Sequence, residues 1–73
     1  MKNEKLKLFD VVAILKANPD KMVVYGQVGT IVEELQDGVF EVEFADKSGQ
    51  TISEFAVKAE DLMLLHYEIE YSR

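Results

Sequence analysis

The fold is decided by the stretch Gln36-Asp37-Gly38-Val39-Phe40-Glu41-Val42-Glu43-Phe44. After the glycine, apolar residues alternate with Glu41 and Glu43, which is the period of two that sends successive side chains to opposite faces of a strand. Asp-Gly between two β-type runs is the strongest short signal of a hairpin. The stretch therefore predicts a tight turn followed by a strand with one apolar and one acidic face.

Other short runs rich in β-branched and aromatic residues flank this hairpin and are separated by turn residues. These further predicted strands are Asp10 to Leu15, Gly26 to Leu35, Thr51 to Val57 and Leu62 to Leu65. Lys58 to Asp61 reads as one helical turn, and no stretch keeps the apolar spacing of a core helix over ten residues. Five short strands with a turn before the last predict an all-β fold on the plan of a small SH3-like barrel.

We expect residues 1–73 to form a single domain, with the barrel core at about residues 6–65 and a C-terminal extension at 66–73. The four glycines lack the lysine and the following helix of a phosphate loop. A tightly coiled sheet needs glycine where φ is positive or where a neighbouring strand approaches closely. The glycines predicted to be structural are Gly26, Gly29, Gly38 and Gly49.

The extension also alternates, with Tyr67, Ile69 and Tyr71 on one face of an extended chain. This pattern predicts an extra C-terminal strand that either closes an edge of its own barrel or pairs with a second copy. A chain of this size buries only a small hydrophobic core. It has no cysteine and only one histidine, so neither disulfides nor a structural metal can add stability. We therefore favour the homo-oligomer and expect the three apolar side chains to form its contacts.

The composition excludes several chemistries. Thiol catalysis is impossible without cysteine, and His66 alone falls short of a zinc ligand set or of a triad with a nucleophile-elbow serine. His66 follows an apolar strand and is expected to be a rim residue. The sequence thus predicts no enzyme activity, no metal and no cofactor. The only apolar run near the N-terminus is too short for a signal peptide or a membrane span, which predicts a cytoplasmic protein.

Three stretches of the sequence form a recognisable set: Asp10-Val11-Val12, Tyr25 to Val32 and Gly38 to Phe44. In these stretches the sequence resembles a family of short bacterial proteins known only as a domain of unknown function, family 4926. This resemblance implies an SH3-like barrel with no established activity. The Gly-x-x-Gly-Thr-Ile segment is also similar to the KOW motif and to the SH3-like domain of the nitrile hydratase β subunit, which implies an RNA-binding or subunit-docking module.

The acidic side of the hairpin is the candidate site. A two-residue turn at Asp37-Gly38 pairs residues whose numbers sum to 75, which predicts that Glu34 faces Glu41, with Glu43 diagonal to them. One interpretation is a solvated face whose repulsion is screened by salt, and a second is a docking surface for a basic partner. A paired-carboxylate active site is the third, but it needs a concave pocket that so small a barrel seldom encloses.

Net charge is −6, and the second half of the chain holds nine acids against three bases. Such a surface repels phosphate backbones and favours basic partners. The sequence therefore predicts a protein-interaction module, with one specific version in which it is the antitoxin or immunity partner of a basic protein. The alternative is a KOW-like RNA-binding module that uses lysines beside Tyr25. Those lysines are Lys2, Lys5, Lys7, Lys16 and Lys21.

Overall fold

A computed structural model describes residues 5–66 of the chain. The strands are β1 Val11–Ile14, β2 Val28–Gln36, β3 Val39–Ala45, β4 Thr51–Lys58 and β5 Leu62–Leu64. Two single 3₁₀ turns, Pro19–Lys21 and Ala59–Asp61, precede β2 and β5, and residues 5–66 contain no α-helix. None of the helical segments in this range is long and apolar enough to cross a bilayer.

The predicted strands are all present, with ends that differ from the prediction by at most two residues. They form one antiparallel sheet in the order β4-β3-β2-β1-β5. The all-β, five-stranded prediction is therefore confirmed. Within residues 5–66 the edge strands β4 and β5 do not pair with each other, so the sheet is open between them and closure into a barrel is not seen.

Every strand contributes to one apolar cluster. The buried members are Val12, Ile14, Val23, Ile31, Phe40, Val42, Phe44, Val57 and Leu62. No α-helix covers this face in the described part of the chain, yet Phe44 and Ile31 are fully buried, so the sheet must curl over its own apolar side. The rings of Phe44 and Phe55 stack with centroids 5.2 Å apart and tie β3 to β4 at the open side.

The predicted register of the β2–β3 hairpin is wrong beyond its turn. Gln36 lies opposite Val39 as expected, but Glu34 pairs with Phe40, and Glu33 rather than Glu34 lies opposite Glu41. The cause is two β-bulges in β2, which add one unpaired residue at Val32 and another at Leu35. Each bulge shifts the pairing by one residue, so a register counted from the turn fails after Gln36.

The turn at Asp37-Gly38 is not of type I′, the type that Asp-Gly favours in two-residue hairpins. Gly38 has a φ of +78°. Asp37 does not have a positive φ, because the non-glycine residues with positive φ in the described chain are Phe9 and Met22. A type I′ turn requires positive φ at both central residues. The Ala59 N–H donates a hydrogen bond to the Gly38 carbonyl at 2.8 Å. This bond attaches the second 3₁₀ turn, Ala59–Asp61, to the hairpin.

Candidate binding surface

Four glutamates of three neighbouring strands lie on the outer side of the sheet, and we call this group the acidic face. Its members are Glu33 on β2, Glu41 and Glu43 on β3, and Glu54 on β4. The strand pairing places Glu33 opposite Glu41 and Glu43 opposite Glu54, and residues in opposed positions share a face. The inner side of β3 is apolar, so its alternating glutamates must point outwards.

Glu41 lies at the centre of this group and is half-buried as a residue, although its carboxyl group is largely exposed. Its pKa is raised above the usual value, first because partial burial disfavours the ionised form and then through a hydrogen bond with the Glu54 carboxyl. The negative charges of Glu54 and Glu33 raise it further. The acidic face therefore holds a proton at Glu41 more readily than an isolated glutamate does.

The acidic face lacks internal charge compensation within the described residues. The ion pair found within residues 5–66 joins Lys7 to Asp10, with Nζ 3.3 Å from Oδ1. None of the four glutamates takes part in it. Glu43 instead accepts a hydrogen bond from the Thr51 hydroxyl. Like charges that oppose each other directly across a sheet destabilise it. A cation supplied from outside the described chain would relieve that repulsion.

The structure brings together only two of the three predicted partner-binding residues, Glu41 and Glu43. Glu34 falls on the inner side of β2, where it is exposed at the rim of a 340 Å³ cavity that Lys5 and Gly38 also line. The glutamates that lie beside Glu41 and Glu43 on the outer side are Glu33 and Glu54 instead of Glu34. Glu54 was predictable from the alternation along β4, whereas Glu33 could be placed only by recognising the bulges.

The outer side of the sheet has a second, apolar half that sequence reasoning missed. Ala13 on β1 lies between Val28 on β2 and Met63 on β5, and we call these three residues the apolar strip. Val28 and Met63 are about half exposed, while the small alanine between them is buried. The outer side is therefore divided into an acidic half over β2–β4 and an apolar half over β5–β1–β2.

Two of the predicted structural glycines occupy positions that only glycine suits. Gly38 needs its positive φ for the hairpin turn, and Gly29 lies where β2 and β3 approach each other, with no room for a β-carbon. Gly26 and Gly49 lie in the loops before β2 and β4, also with positive φ. All four therefore have backbone roles, either at a positive φ in a turn or loop or at the close approach of two strands.

The lysines of the RNA hypothesis that lie within the described residues are Lys5, Lys7, Lys16 and Lys21. Lys5, Lys7 and Lys16 line three separate cavities, and Lys7 is paired with Asp10. Tyr25 is exposed on the loop before β2. Lys21 is exposed in the 3₁₀ turn Pro19–Lys21, and Lys2 lies outside the described residues.

The remaining predicted residues fall at or beyond the limits of the described chain. His66 is exposed and lines a 260 Å³ groove at the end of β5, together with Lys7 and Phe9. In the range 5–66, no three side chains of the metal-binding types are grouped so that they could hold an ion. The predicted oligomer contacts Tyr67, Ile69 and Tyr71 lie outside the described residues.

The fold and surface define a small all-β domain built on one curled antiparallel sheet. The profile of one family, described as Domain of unknown function (DUF4926), matches residues 8–64. This span covers most of the chain and all five strands, so the protein belongs to that family. No curated protein and no solved structure matches the chain.

Proposed function

We propose that the protein is a non-enzymatic interaction module that binds a basic partner through its acidic face. The observation that carries the proposal is the group of four neighbouring glutamates, none of which takes part in the ion pair found within residues 5–66. Natural sheets usually avoid opposed like charges because they weaken pairing. Places where a sequence departs from such local rules tend to serve function rather than stability.

The apolar strip supports the same proposal from a different property. Val28 and Met63 are large apolar side chains left half exposed, and they lie on the same side of the sheet as the acidic face. Protein interfaces combine an apolar contact area with charges that select the partner and steer its approach. A partner with an apolar ridge beside lysine or arginine side chains would fit both halves.

The finer form of the proposal is an SH3-like docking module, with the antitoxin or immunity partner of a basic protein as its specific version. The strand order β5-β1-β2-β3-β4, with a 3₁₀ turn leading into β5, supports the SH3-like assignment. The acidic face supports a basic partner, since electrostatic complementarity favours fast association and rejects like-charged competitors.

The test compares two triple variants that remove the same charge from different places. Glu33→Gln, Glu41→Gln and Glu54→Gln remove three of the four charges of the acidic face and leave the Glu43–Thr51 hydrogen bond in place. The matched control carries Asp20→Asn, Asp37→Asn and Glu60→Gln, all exposed and all outside the face. A fluorescent peptide that alternates lysine with leucine is the probe, and its binding is followed by anisotropy at low and physiological salt.

We expect the acidic-face variant to lose most of its affinity for the peptide while the control keeps it. Equal losses in both variants would mean that net charge, and not the acidic face, governs binding, and would contradict the proposal. A labelled single-stranded RNA serves as the second probe. RNA affinity that falls steeply as salt rises would replace this proposal with the RNA-binding alternative.

A further inference from the structure

β4 is the one long strand of the described sheet that leaves an edge uncovered. It pairs with β3 on one side only, and the opposite edge strand, β5, has just three residues. No backbone hydrogen bond outside the β3–β4 ladder involves Thr51–Lys58 within the described residues. An extended edge with unpaired N–H and C=O groups is a template for another strand.

The last six residues of β4 are regular enough to accept an added strand. Ser53–Lys58 pairs with six consecutive residues of β3, Val39–Phe44, without a bulge, and contains neither proline nor glycine. A groove of about 460 Å³ runs beside this edge. Phe55–Lys58 forms one wall, and the loop from Lys16 to Pro19 contributes to the other. An added strand therefore has both hydrogen-bonding groups and space.

The sequence of this segment is complementary to itself in one antiparallel register. A two-fold axis normal to the sheet places one residue opposite its own copy and pairs the others symmetrically about it. With Ala56 on the axis, Glu54 faces Lys58 of the second copy and Phe55 faces Val57 of the second copy. Both pairs occur twice, and the small, exposed Ala56 lies at the centre.

The neighbouring registers lack this complementarity. With Glu54 on the axis, two glutamates oppose each other, which destabilises a sheet. With Phe55 on the axis, Glu54 faces an alanine and Lys58 faces Ile52, so no charges are paired. The Ala56 register alone joins opposite charges on the outer side of the sheet and apolar side chains on its inner side.

We infer that two copies of the chain associate through their β4 edges around Ala56 and join their sheets into one. The interface does not rest on the proposed function and uses only Glu54 of the acidic face. Lys58 of the second copy would lie beside Glu54, whose carboxyl interacts with Glu41. The second copy thus supplies to the acidic face the cation that one chain does not.

The test is a charge exchange across the axis, followed by sedimentation equilibrium over a wide range of protein concentration. Glu54→Lys alone and Lys58→Glu alone each place like charges opposite each other twice. Each is expected to weaken the dimer by about tenfold or more. The double variant Glu54→Lys with Lys58→Glu restores both pairs with the charges exchanged and is expected to dimerise as the unchanged chain does.

Matched controls separate this interface from general charge effects and from the tail. Glu34→Lys and Lys47→Glu make the same charge changes at exposed sites outside the acidic face and outside Ser53–Lys58, and they should leave the dimer intact. Removing residues 67–73 should also leave it intact. The inference is overturned if the unchanged chain is monomeric throughout, if the single variants dimerise normally, if the exchange fails to restore the dimer, or if the truncated chain is a monomer.

Discussion

Gly29 on β2 lies opposite Phe44 on β3, and a β-carbon at Gly29 would come within 2.8 Å of two carbons of the Phe44 ring. It would also lie 2.7 Å from Cγ1 of Val42. Both neighbours are fully buried and cannot swing into solvent. The two strands therefore pack through the missing side chain, and Phe44 owes its place in the core to a glycine on the next strand.

Gly29→Ala should destabilise the protein by about 1–3 kcal/mol, the usual consequence of overfilling a packed core. The φ of Gly29 is not in the left-handed region, so the substitution tests crowding alone. Urea unfolding followed by circular dichroism measures the effect. Val42→Ala removes the carbon at 2.7 Å, so the double variant should be less destabilised than the sum of the two single variants. A stable Gly29→Ala variant would contradict the close approach.

Gly38 offers the opposite case, because a β-carbon there would meet nothing within 4 Å, and only its φ of +78° restricts the residue. Gly38→Val should lower the free energy of unfolding by about 1–2 kcal/mol, since a branched side chain resists positive φ. Gly38→Asn should cost distinctly less, because asparagine tolerates the left-handed region. Equal losses for valine and asparagine in urea titrations would point to a cause other than backbone strain.

The raised pKa of Glu41 predicts a pH dependence with a definite sign. A carboxyl whose pKa is higher in the folded than in the unfolded state contributes stability that is fully present below the unfolded pKa. That contribution is lost as pH rises through the folded pKa. Glu41→Gln should therefore unfold at higher urea concentration than the unchanged chain at neutral pH, with a difference that shrinks in acid. Glu60→Gln, at an exposed site, should show no such difference.

The carboxyl of Asp46 predicts a pH dependence of stability opposite in sign to that of Glu41. Its Oδ1 accepts hydrogen bonds from the Ser48 hydroxyl at 2.8 Å, the Ser48 N–H at 2.9 Å and the Gln50 N–H at 3.0 Å. The bonds from the Ser48 side chain and the Gln50 backbone lower the pKa of Asp46. The stability they contribute is present above the unfolded pKa and is lost as pH falls through the folded pKa.

Asp46→Ala should lower the thermal midpoint at neutral pH and weaken the loss of stability in acid. Asp46→Asn keeps an acceptor oxygen, so its thermal midpoint at neutral pH should lie between those of Asp46→Ala and the unchanged chain. Thermal unfolding at a series of pH values measures both effects. If Asp46→Ala melted like the unchanged chain at neutral pH, the loop between β3 and β4 would not depend on this carboxylate.

The sequence was a good guide to the strands because each alternates or is bounded by turn residues. β3 is the clearest example, since Glu41 and Glu43 could be assigned to the outer side from alternation alone. β2 was harder, because Ile31-Val32 and Glu33-Glu34 place like residues side by side and break the period of two. That break was the available sign of a bulge, and without it the count from the turn selected Glu34 in place of Glu33.

The apolar strip and the β4 edge, which residues 5–66 leave uncovered, could not be predicted from the sequence for a different reason. Both depend on which strands become neighbours, and the pairing of β1 with β5 joins segments far apart in the chain. Local propensity carries no information about such pairings. Val28 and Met63 belong to separate predicted strands, and only the sheet order places them on either side of Ala13.

The pairing of Val12 with Leu64 also bears on the order in which the protein folds. These residues are about fifty positions apart, whereas the β2–β3 and β3–β4 hairpins close over short loops. The hairpins can form early, and β5 can dock only after the chain has lost the entropy of bringing its distant ends together. Because β5 is held by three residue pairs, it is also the first strand expected to detach. In native-state hydrogen exchange, the β1–β5 amides should open at a lower free energy than those shared by β2 and β3.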